Sequence, residues 1–129
     1  MRQSYRSFRY AIEGLTHAVS AERNLRHFII GYTVVIVLGF AFGIGAWEWM
    51  ALIGAGGAFI AVELINTALE RLVNALDELY KKQGRHYHIA LKQTKDVAAA
   101  AAFTMLGAVA IVILIVFTPY VAALIKLYR

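Results

Sequence analysis

The chain of 129 residues has no cysteine and a single proline, and only 16% of its residues are charged. The lack of cysteine excludes disulfides and thiolate metal sites. The sequence also lacks a P-loop, a Rossmann glycine pattern and the protein-kinase signature motifs. Its hydrophobic content is 60%, and a soluble domain of this size has too little interior to bury so much apolar surface. These features together indicate a membrane protein.

Two long uncharged runs extend from Phe28 to Trp47 and from Val97 to Ile125. At a rise of about 1.5 Å per residue, each can cross a hydrocarbon core of about 30 Å. A third run, from Trp49 to Val62, is shorter, so it spans only if its lower part lies at the interface or is covered by protein. We predict an all-α integral membrane fold in a single domain over residues 1–129. It has a surface helix at about 4–20 and spans at about 28–47, 49–70 (extended to about 82) and 97–120.

The N-terminal segment has the pattern of an amphipathic helix. Its apolar residues recur at helical spacing, and its arginines lie on other faces: the apolar set is Tyr5, Phe8, Ile12, Leu15 and Val19. A basic helix of this kind before a span is typical of a helix lying in the membrane plane. The alternative is a helix packed on the protein itself.

Lysines and arginines are distributed unevenly. Residues 1–27 and 71–95 hold most of them, whereas the turn between the first two spans has none. The positive-inside rule therefore predicts a multi-pass protein of the cytoplasmic membrane, with the N-terminus and the 71–95 segment in the cytoplasm. Trp47 and Trp49 suit the outer interface as anchors. The net charge of +5 is explained by these flanks, so nucleic acid is not an expected partner.

The second span carries a polar face. Spacings of 3, 4, 4 and 3 align five residues along one side of the helix: Glu63, Asn66, Glu70, Asn74 and Asp77. Counted from Trp49, Glu63 lies about 21 Å along an untilted helix and Glu70 about 31 Å. Glu63 is thus expected near the inner boundary of the hydrocarbon, and Glu70 where water, a metal ion and phosphates can reach it.

Other charged residues are expected at the same level. Glu22 precedes the first span, and Lys95 and Asp96 precede the third. Carboxylates that bind Mg²⁺, a lysine that meets phosphate and a carboxylate that acts as a base suit phosphoryl transfer to a membrane-held alcohol. Structural interpretations also exist: Glu70 can pair on an exposed surface, and Glu22 can complement a helix N-terminus.

Asn66 can serve as a contact between helices. Glu63 is the hardest to explain structurally, because it interrupts an apolar face and has no lysine or arginine within four residues. A different class of function is a small transporter or channel subunit that uses Glu63 as an ion or proton site. That function predicts carboxylates near the membrane midplane. A purely structural helical adaptor leaves the coplanar carboxylates without a purpose.

Four motifs give the chain a family resemblance: Glu63-Leu-Ile-Asn66-Thr-Ala-Leu-Glu70, Tyr10-Ala-Ile-Glu-Gly14-Leu, Glu22-Arg-Asn-Leu-Arg26 and Lys95-Asp96-Val-Ala-Ala. In their order along the chain and relative to the same three spans, they resemble the prokaryotic diacylglycerol kinase family, which includes undecaprenol kinases. The resemblance implies a homotrimer with active sites shared between chains. It also implies transfer of the γ-phosphoryl group of ATP to a lipid hydroxyl, on diacylglycerol or undecaprenol.

The resemblance also implies roles for individual residues. Glu63 is expected to take the hydroxyl proton, and Asn66 to position the reactants. Glu22 and Glu70 are expected to hold the Mg²⁺ ion that bridges the ATP phosphates. ATP binding is further implied for Tyr10, Lys95 and Asp96. The second and third motifs resemble the undecaprenol-type members more, which favours that lipid.

The chain departs from the family at two places. Asn74 stands where the family usually has an acidic residue, so a metal or nucleotide contact there is in doubt, and Asp77 is the candidate replacement. The segment from Glu70 to Asp96 is also longer than the family pattern, through the stretch 81–88. Two extra turns would lengthen a cytoplasmic helix without rotating its polar face, or the stretch would cover the nucleotide.

Overall fold

The computed structural model describes residues 2–84 and 89–128, and within those ranges all of its regular secondary structure is helical. Four helices follow one another: α1 (Arg2–Ala21), α2 (Arg23–Phe42), α3 (Ala46–Lys82) and α4 (Ile89–Leu127). Helices α2, α3 and α4 are long and apolar enough to cross a membrane. The prediction of an all-α fold with one surface helix and three spans is therefore confirmed. Of the longer segment that departs from the family pattern, residues 85–88 lie outside the described part.

Helix α1 leaves its apolar face uncovered by the rest of the chain. Tyr5 and Phe8 are 70% and 67% exposed, and Ile12 and Leu15 are exposed as well. Ala18, near the end of the helix, is buried. An apolar helix face without a protein partner suits the membrane interface and not a helix packed on the protein itself.

The junction between α1 and α2 explains the local sequence. Glu22 has extended backbone angles and begins α2 without capping it through its side chain. The Arg26 guanidinium donates to the carbonyl oxygens of Ser20 at 2.5 Å and Val19 at 3.3 Å, which are among the last carbonyls of α1. Leu25 is completely buried. This anchoring fixes Glu22 at the start of α2.

We call the turn between α2 and α3 the turn end of the molecule. Helix α2 ends at Phe42, and Gly43 takes a left-handed conformation with φ of 63° that favours glycine. The uncharged run 28–47 therefore contains both the end of α2 and the turn. The Glu48 carboxylate accepts hydrogen bonds from the backbone N–H of Gly45 at 2.5 Å and from the Tyr120 hydroxyl at 2.7 Å.

The main buried apolar cluster also lies at the turn end, and it consists of Ile44, Leu52, Val116 and Phe117. Trp49 packs against this cluster, whereas Trp47 is 81% exposed. Trp47 is exposed as an interface anchor would be, and Trp49 is partly buried beside the cluster; their anchoring role stays a prediction. Phe42 and Phe117, whose ring centroids are 5.9 Å apart, join α2 to α4 here.

Small residues bring the spans close together. A Cβ on Gly56 of α3 would lie 2.6 Å from the Tyr32 ring of α2, so only glycine fits there. The Tyr32 hydroxyl donates to the Leu52 carbonyl, which ties α2 to α3 through a backbone oxygen. Ala98 and Ala102 of α4 are buried where that helix packs along α3. This packing orients the polar face of α3 toward α2 and α4.

Candidate active site

A cleft of about 490 Å³ opens between α2, α3 and α4 at the end of the bundle opposite the turn. We call this the charged end. Helix α3 lines the cleft with residues spaced 4, 3 and 4 apart, which places them on one face: Phe59, Glu63, Asn66 and Glu70. Helix α4 contributes small and apolar side chains, including Ala99 and Phe103. The cleft therefore has a polar wall from α3 and largely apolar surroundings.

Glu63 is the most enclosed charged group of the cleft, with 5% of its surface exposed. Phe28 and Phe59 line the same cleft, with ring centroids 4.0 Å apart. Glu22 and Glu70 are close enough for their charges to act on Glu63. Like charges that act on one another raise the energy of the site, so the site favours an incoming cation.

Asn66 lies at the boundary between two cavities. It lines the cleft and also a groove of about 630 Å³ between α3 and α4. Its Oδ1 atom is buried and has no hydrogen-bond partner among the described residues. A buried acceptor without a donor is costly to keep, so this oxygen is available to a hydroxyl or amino group of a ligand.

Lys95 lies just outside the lining of the cleft at the charged end. We call this place the mouth of the cleft, and it comprises Asn74, Lys95, Glu22 and Arg71. The Nζ atom of Lys95 donates to Asn74 Oδ1 at 3.2 Å, which links α4 to α3. Asn74 is one turn beyond Glu70, and Lys95 is one turn before Ala99, so both continue the faces that line the cleft. Because Asn74 is neutral, it holds the ammonium group without cancelling its charge. Asn74, which departs from the family pattern, thus makes a contact with Lys95 in this chain.

Asp77, the candidate replacement for an acid at position 74, has a different partner. Its Oδ2 atom lies 2.7 Å from Nζ of Lys81, one turn further along α3. Neither residue lines the cleft.

Glu22 and Arg71 face each other across the α2 side of the mouth. Glu22 Oε1 lies 3.8 Å from an Arg71 terminal nitrogen, and the two side chains are 30% and 40% exposed. Arg71 directly follows Glu70 on α3. The contact therefore draws the start of α2 and the polar face of α3 together.

Tyr10 and Asp96 do not line the cleft. Tyr10 is 59% exposed on α1, and the Arg9 guanidinium lies 5.6 Å from its ring centroid. Asp96 is exposed on α4 next to Lys95.

Three of the predicted residues line the cleft, namely Glu63, Asn66 and Glu70. Glu22 and Lys95 lie outside its lining, where they contact Arg71 and Asn74. The roles implied for all seven, including Tyr10 and Asp96, stay predictions.

Sequence reasoning did not single out Asn24, His27 or Arg71. Asn24 and His27 line the cleft from α2, one turn apart. Asn24 lies inside the motif that begins at Glu22, so its place in that motif is a signal that could have identified it. His27 and Arg71 carry no local signal, because their importance depends on which helix faces them.

The cleft continues into an apolar groove between α2 and α4. This groove has a volume of about 170 Å³ and shares His27, Phe28 and Leu106 with the cleft. Gly31 and Val109 line it further toward the turn end. The two spaces together thus combine a polar wall at Glu63 with an apolar continuation toward the turn end.

The donor atoms suit a hard divalent cation shared with phosphates. In the described ranges, no group of three or more His, Cys, Asp or Glu side chains is arranged to hold a metal by itself. Magnesium bound with a nucleotide needs only one or two protein carboxylates, because phosphate oxygens and water complete its shell. Glu22 and Glu70 can supply those carboxylates.

Comparisons with known proteins agree with this chemistry. The family model described as prokaryotic diacylglycerol kinase matches residues 9–117. The chain is 28% identical over 119 residues to a protein of Bacillus subtilis named undecaprenol kinase, covering 92% of this chain and 91% of that protein. It is 34% identical over 107 residues to a diacylglycerol kinase of Synechocystis sp., covering 83% of this chain.

The aligned part amounts to 57% of the Synechocystis protein, so the chain spans little more than half of that relative's length. The Bacillus protein is matched over nearly its whole length. Since the family model covers most of the chain, including the cleft and all four motifs, the protein belongs to the prokaryotic diacylglycerol kinase family and is a membrane-bound lipid kinase.

Proposed function

We propose that this lipid kinase transfers the γ-phosphoryl group of ATP to the hydroxyl of undecaprenol or diacylglycerol at the cytoplasmic face of the cell membrane. The observation that carries the proposal is the environment of Glu63. Its side chain is 5% exposed, it lies in a cleft that continues into an apolar groove, and the negative charges of Glu22 and Glu70 act on it. A carboxylate at such a boundary can reach both a lipid alcohol and a hydrated nucleotide. We assign the kinase domain to the whole of 1–129.

In this mechanism, Glu63 accepts the proton of the lipid hydroxyl as the hydroxyl oxygen attacks the γ-phosphorus. The new oxygen–phosphorus bond forms while the bond to the β-phosphate oxygen breaks, and the nucleoside diphosphate leaves. Asn66 Oδ1, which lacks a partner in the described residues, orients the reacting groups. Positioning and charge neutralisation carry most of the catalysis in such transfers.

The charged residues at the mouth bind the nucleotide and its metal ion in this proposal. Lys95 neutralises charge on the phosphates, and Asp96 and Tyr10 assist nucleotide binding. Glu22 and Glu70 hold Mg²⁺, which when bound neutralises and orients the phosphate oxygens. The carboxylate oxygens of the site and the absence of sulfur ligands support magnesium over softer metals.

Undecaprenol is the favoured substrate. The motifs that begin at Tyr10 and Glu22 support this choice, as does the name of the Bacillus relative, which is matched over 91% of its length. Diacylglycerol presents an alcohol at the same depth, so the two lipids must be compared directly. The apolar groove between α2 and α4 supports a long-chain substrate in either case.

We further propose that the active enzyme is a homotrimer with shared sites. Tyr10 and Asp96 are exposed and do not line the cleft of their own chain. A neighbouring chain that supplied such residues would enclose the nucleotide, which one protomer leaves open. The positive-inside distribution of lysines and arginines supports an N-terminus in the cytoplasm, where the nucleotide is found.

Purified protein in detergent, given γ-labelled ATP, Mg²⁺ and each lipid separately, tests the proposal. We expect labelled lipid monophosphate, with undecaprenol used better than diacylglycerol, and no product from protein kept monomeric by dilution in detergent. Omission of the divalent ion and replacement of ATP by GTP test the cofactors. No labelled product with either lipid, from protein shown to be trimeric, would refute the proposed function. An active monomer would refute the shared site only.

A further inference from the structure

Two cations stand on opposite sides of the mouth of the cleft, and they are held differently. On the α4 side, Lys95 is held by the neutral amide oxygen of Asn74 at 3.2 Å. On the α2 side, Arg71 faces the anionic carboxylate of Glu22 at 3.8 Å. Glu70, which directly precedes Arg71, lies on the wall of the cleft. The positive charge of Lys95 is available to a ligand, whereas that of Arg71 is partly cancelled by Glu22.

The contact between Arg71 and Glu22 is weak. A separation of 3.8 Å is too long for a hydrogen bond, so the attraction is electrostatic only. The side chains are 40% and 30% exposed, and ion pairs between partly exposed groups stabilise proteins by about 0–1 kcal/mol. Arg71 can therefore leave Glu22 at little cost when a better anion arrives.

The charges near Glu22 indicate when Arg71 would leave Glu22 for another anion. Glu22 and Glu70 each act electrostatically on Glu63, and Arg71 is the cation paired with Glu22. A divalent cation bound by Glu22 and Glu70 would repel the guanidinium from its present position. The same cation would bring phosphates to the mouth, and a guanidinium binds phosphate oxygens through two parallel hydrogen bonds.

We infer that Arg71 is a second phosphate-binding residue, opposite Lys95, and that it pairs with Glu22 only while the nucleotide is absent. Entry of the metal–nucleotide complex moves the guanidinium from Glu22 to the phosphates, and Glu22 becomes a ligand of the divalent ion. The ligand class is a nucleoside polyphosphate with its cation. The inference rests on the proposed role of Glu22, and it adds a residue that the family resemblance did not indicate.

Equilibrium binding to the Arg71→Gln variant tests the exchange. We expect its affinity for Mg²⁺ with a non-hydrolysable ATP analogue, measured by calorimetry, to fall by about 10- to 100-fold, the range of a lost charge-assisted hydrogen bond. Binding of Mn²⁺ alone, measured by electron paramagnetic resonance, should stay the same or tighten by up to about 5-fold, because a competing cation is gone. Arg71→Lys should fall between Arg71→Gln and the unchanged protein in nucleotide affinity.

Lys92→Gln is the matched control. Lys92 is exposed near the same end of α4 and does not line the cleft, so the variant removes one positive charge without touching the mouth. It should bind the nucleotide analogue within about 2-fold of the unchanged protein. A similar loss in both variants would mean that Arg71 acts only through net charge, which would overturn the inference.

Two further results would also overturn it. Unchanged nucleotide affinity with a lower thermal stability would make Arg71 a tether between α2 and α3. Equal losses of Mn²⁺ and nucleotide binding would mean that Arg71 only orients Glu22. Failure of the proposed function is separable, because these measurements need no lipid. Loss of Mn²⁺ binding in Glu22→Gln tests the metal role of Glu22 by itself.

Discussion

The two ends of the bundle use the same residue type in opposite ways. At the turn end, Glu48 accepts hydrogen bonds from the Gly45 N–H and the Tyr120 hydroxyl. At the charged end, Glu63 is 5% exposed and its electrostatic neighbours are two more carboxylates. One carboxylate is satisfied and closes the fold, whereas the other is left in need of a cation or a proton. Buried groups that lack compensation within the fold indicate function, because stability alone does not retain them.

The packing of the side chains also differs between the turn end and the charged end. The apolar cluster around Leu52 and Phe117 fills the turn end, and the helices there touch through aromatic rings. The charged end instead contains the cleft, and Asn66 Oδ1 lies there without a partner in the described residues. The comparison teaches that the turn end holds the helices in register so that the charged end can stay open.

Replacing each glutamate by glutamine should give the largest contrast. Glu63→Gln removes a base but keeps the shape, so kcat should fall by about 10²- to 10⁴-fold, the usual contribution of general base catalysis. Nucleotide affinity should change by less than about 2-fold. Glu48→Gln keeps an oxygen for Gly45 and Tyr120 and should retain nearly full kcat. Near-normal turnover by Glu63→Gln would remove the distinction between the ends.

Adjacent glycines test the packing side of the comparison. In Gly56→Ala the new methyl would lie 2.6 Å from the Tyr32 ring, so the tyrosine or the helix must shift. We expect the free energy of unfolding in detergent to fall by about 1–3 kcal/mol, as for other overpacked cores. Gly57 has open space around its Cβ position, and Gly57→Ala should be neutral or gain up to about 1 kcal/mol from helix propensity. Equal stabilities would mean that α2 and α3 are not closely packed.

The smallest expected effect comes from removing the hydrogen bond between Asn74 and Lys95 at the mouth of the cleft. Asn74→Ala removes the acceptor that positions Lys95, an exposed hydrogen bond of 3.2 Å. Nucleotide affinity should fall by about 2- to 10-fold, matching a net hydrogen-bond contribution of about 0.5–1.5 kcal/mol. Glu78→Ala, one turn further along α3 at an exposed position, is the control and should bind nucleotide normally. If both variants bound nucleotide equally well, Asn74 would have no positioning role.

Patterns within single helices predicted much of this molecule. The spacing of Glu63, Asn66 and Glu70 placed them on one face, and all three line the cleft. Two uncharged runs were long enough to span by themselves, and the third was predicted to span with its lower part at the interface or covered by protein. The structure has three helices able to cross a membrane. Such predictions succeed because helix periodicity and membrane thickness are local constraints.

Contacts between helices could not be predicted from the sequence. The pairing of Arg71 with Glu22 and the place of His27 in the cleft depend on how α2 is rotated against α3. The packing of Trp49 against the apolar cluster, where Gly39 leaves room for its ring, was likewise not evident from the sequence. Rotation and close approach are decided by many weak contacts at once, and no single stretch of sequence encodes them.

The groove between α2 and α4 has a consequence for the kinetics of the enzyme. The two helices meet through Phe42 and Phe117 at the turn end, and the groove lies between them on the way to the cleft. A lipid that enters this way diffuses in two dimensions and never crosses bulk water. Its turnover should therefore follow the mole fraction of the alcohol in the bilayer or micelle, and inert lipid or detergent should slow the reaction by surface dilution.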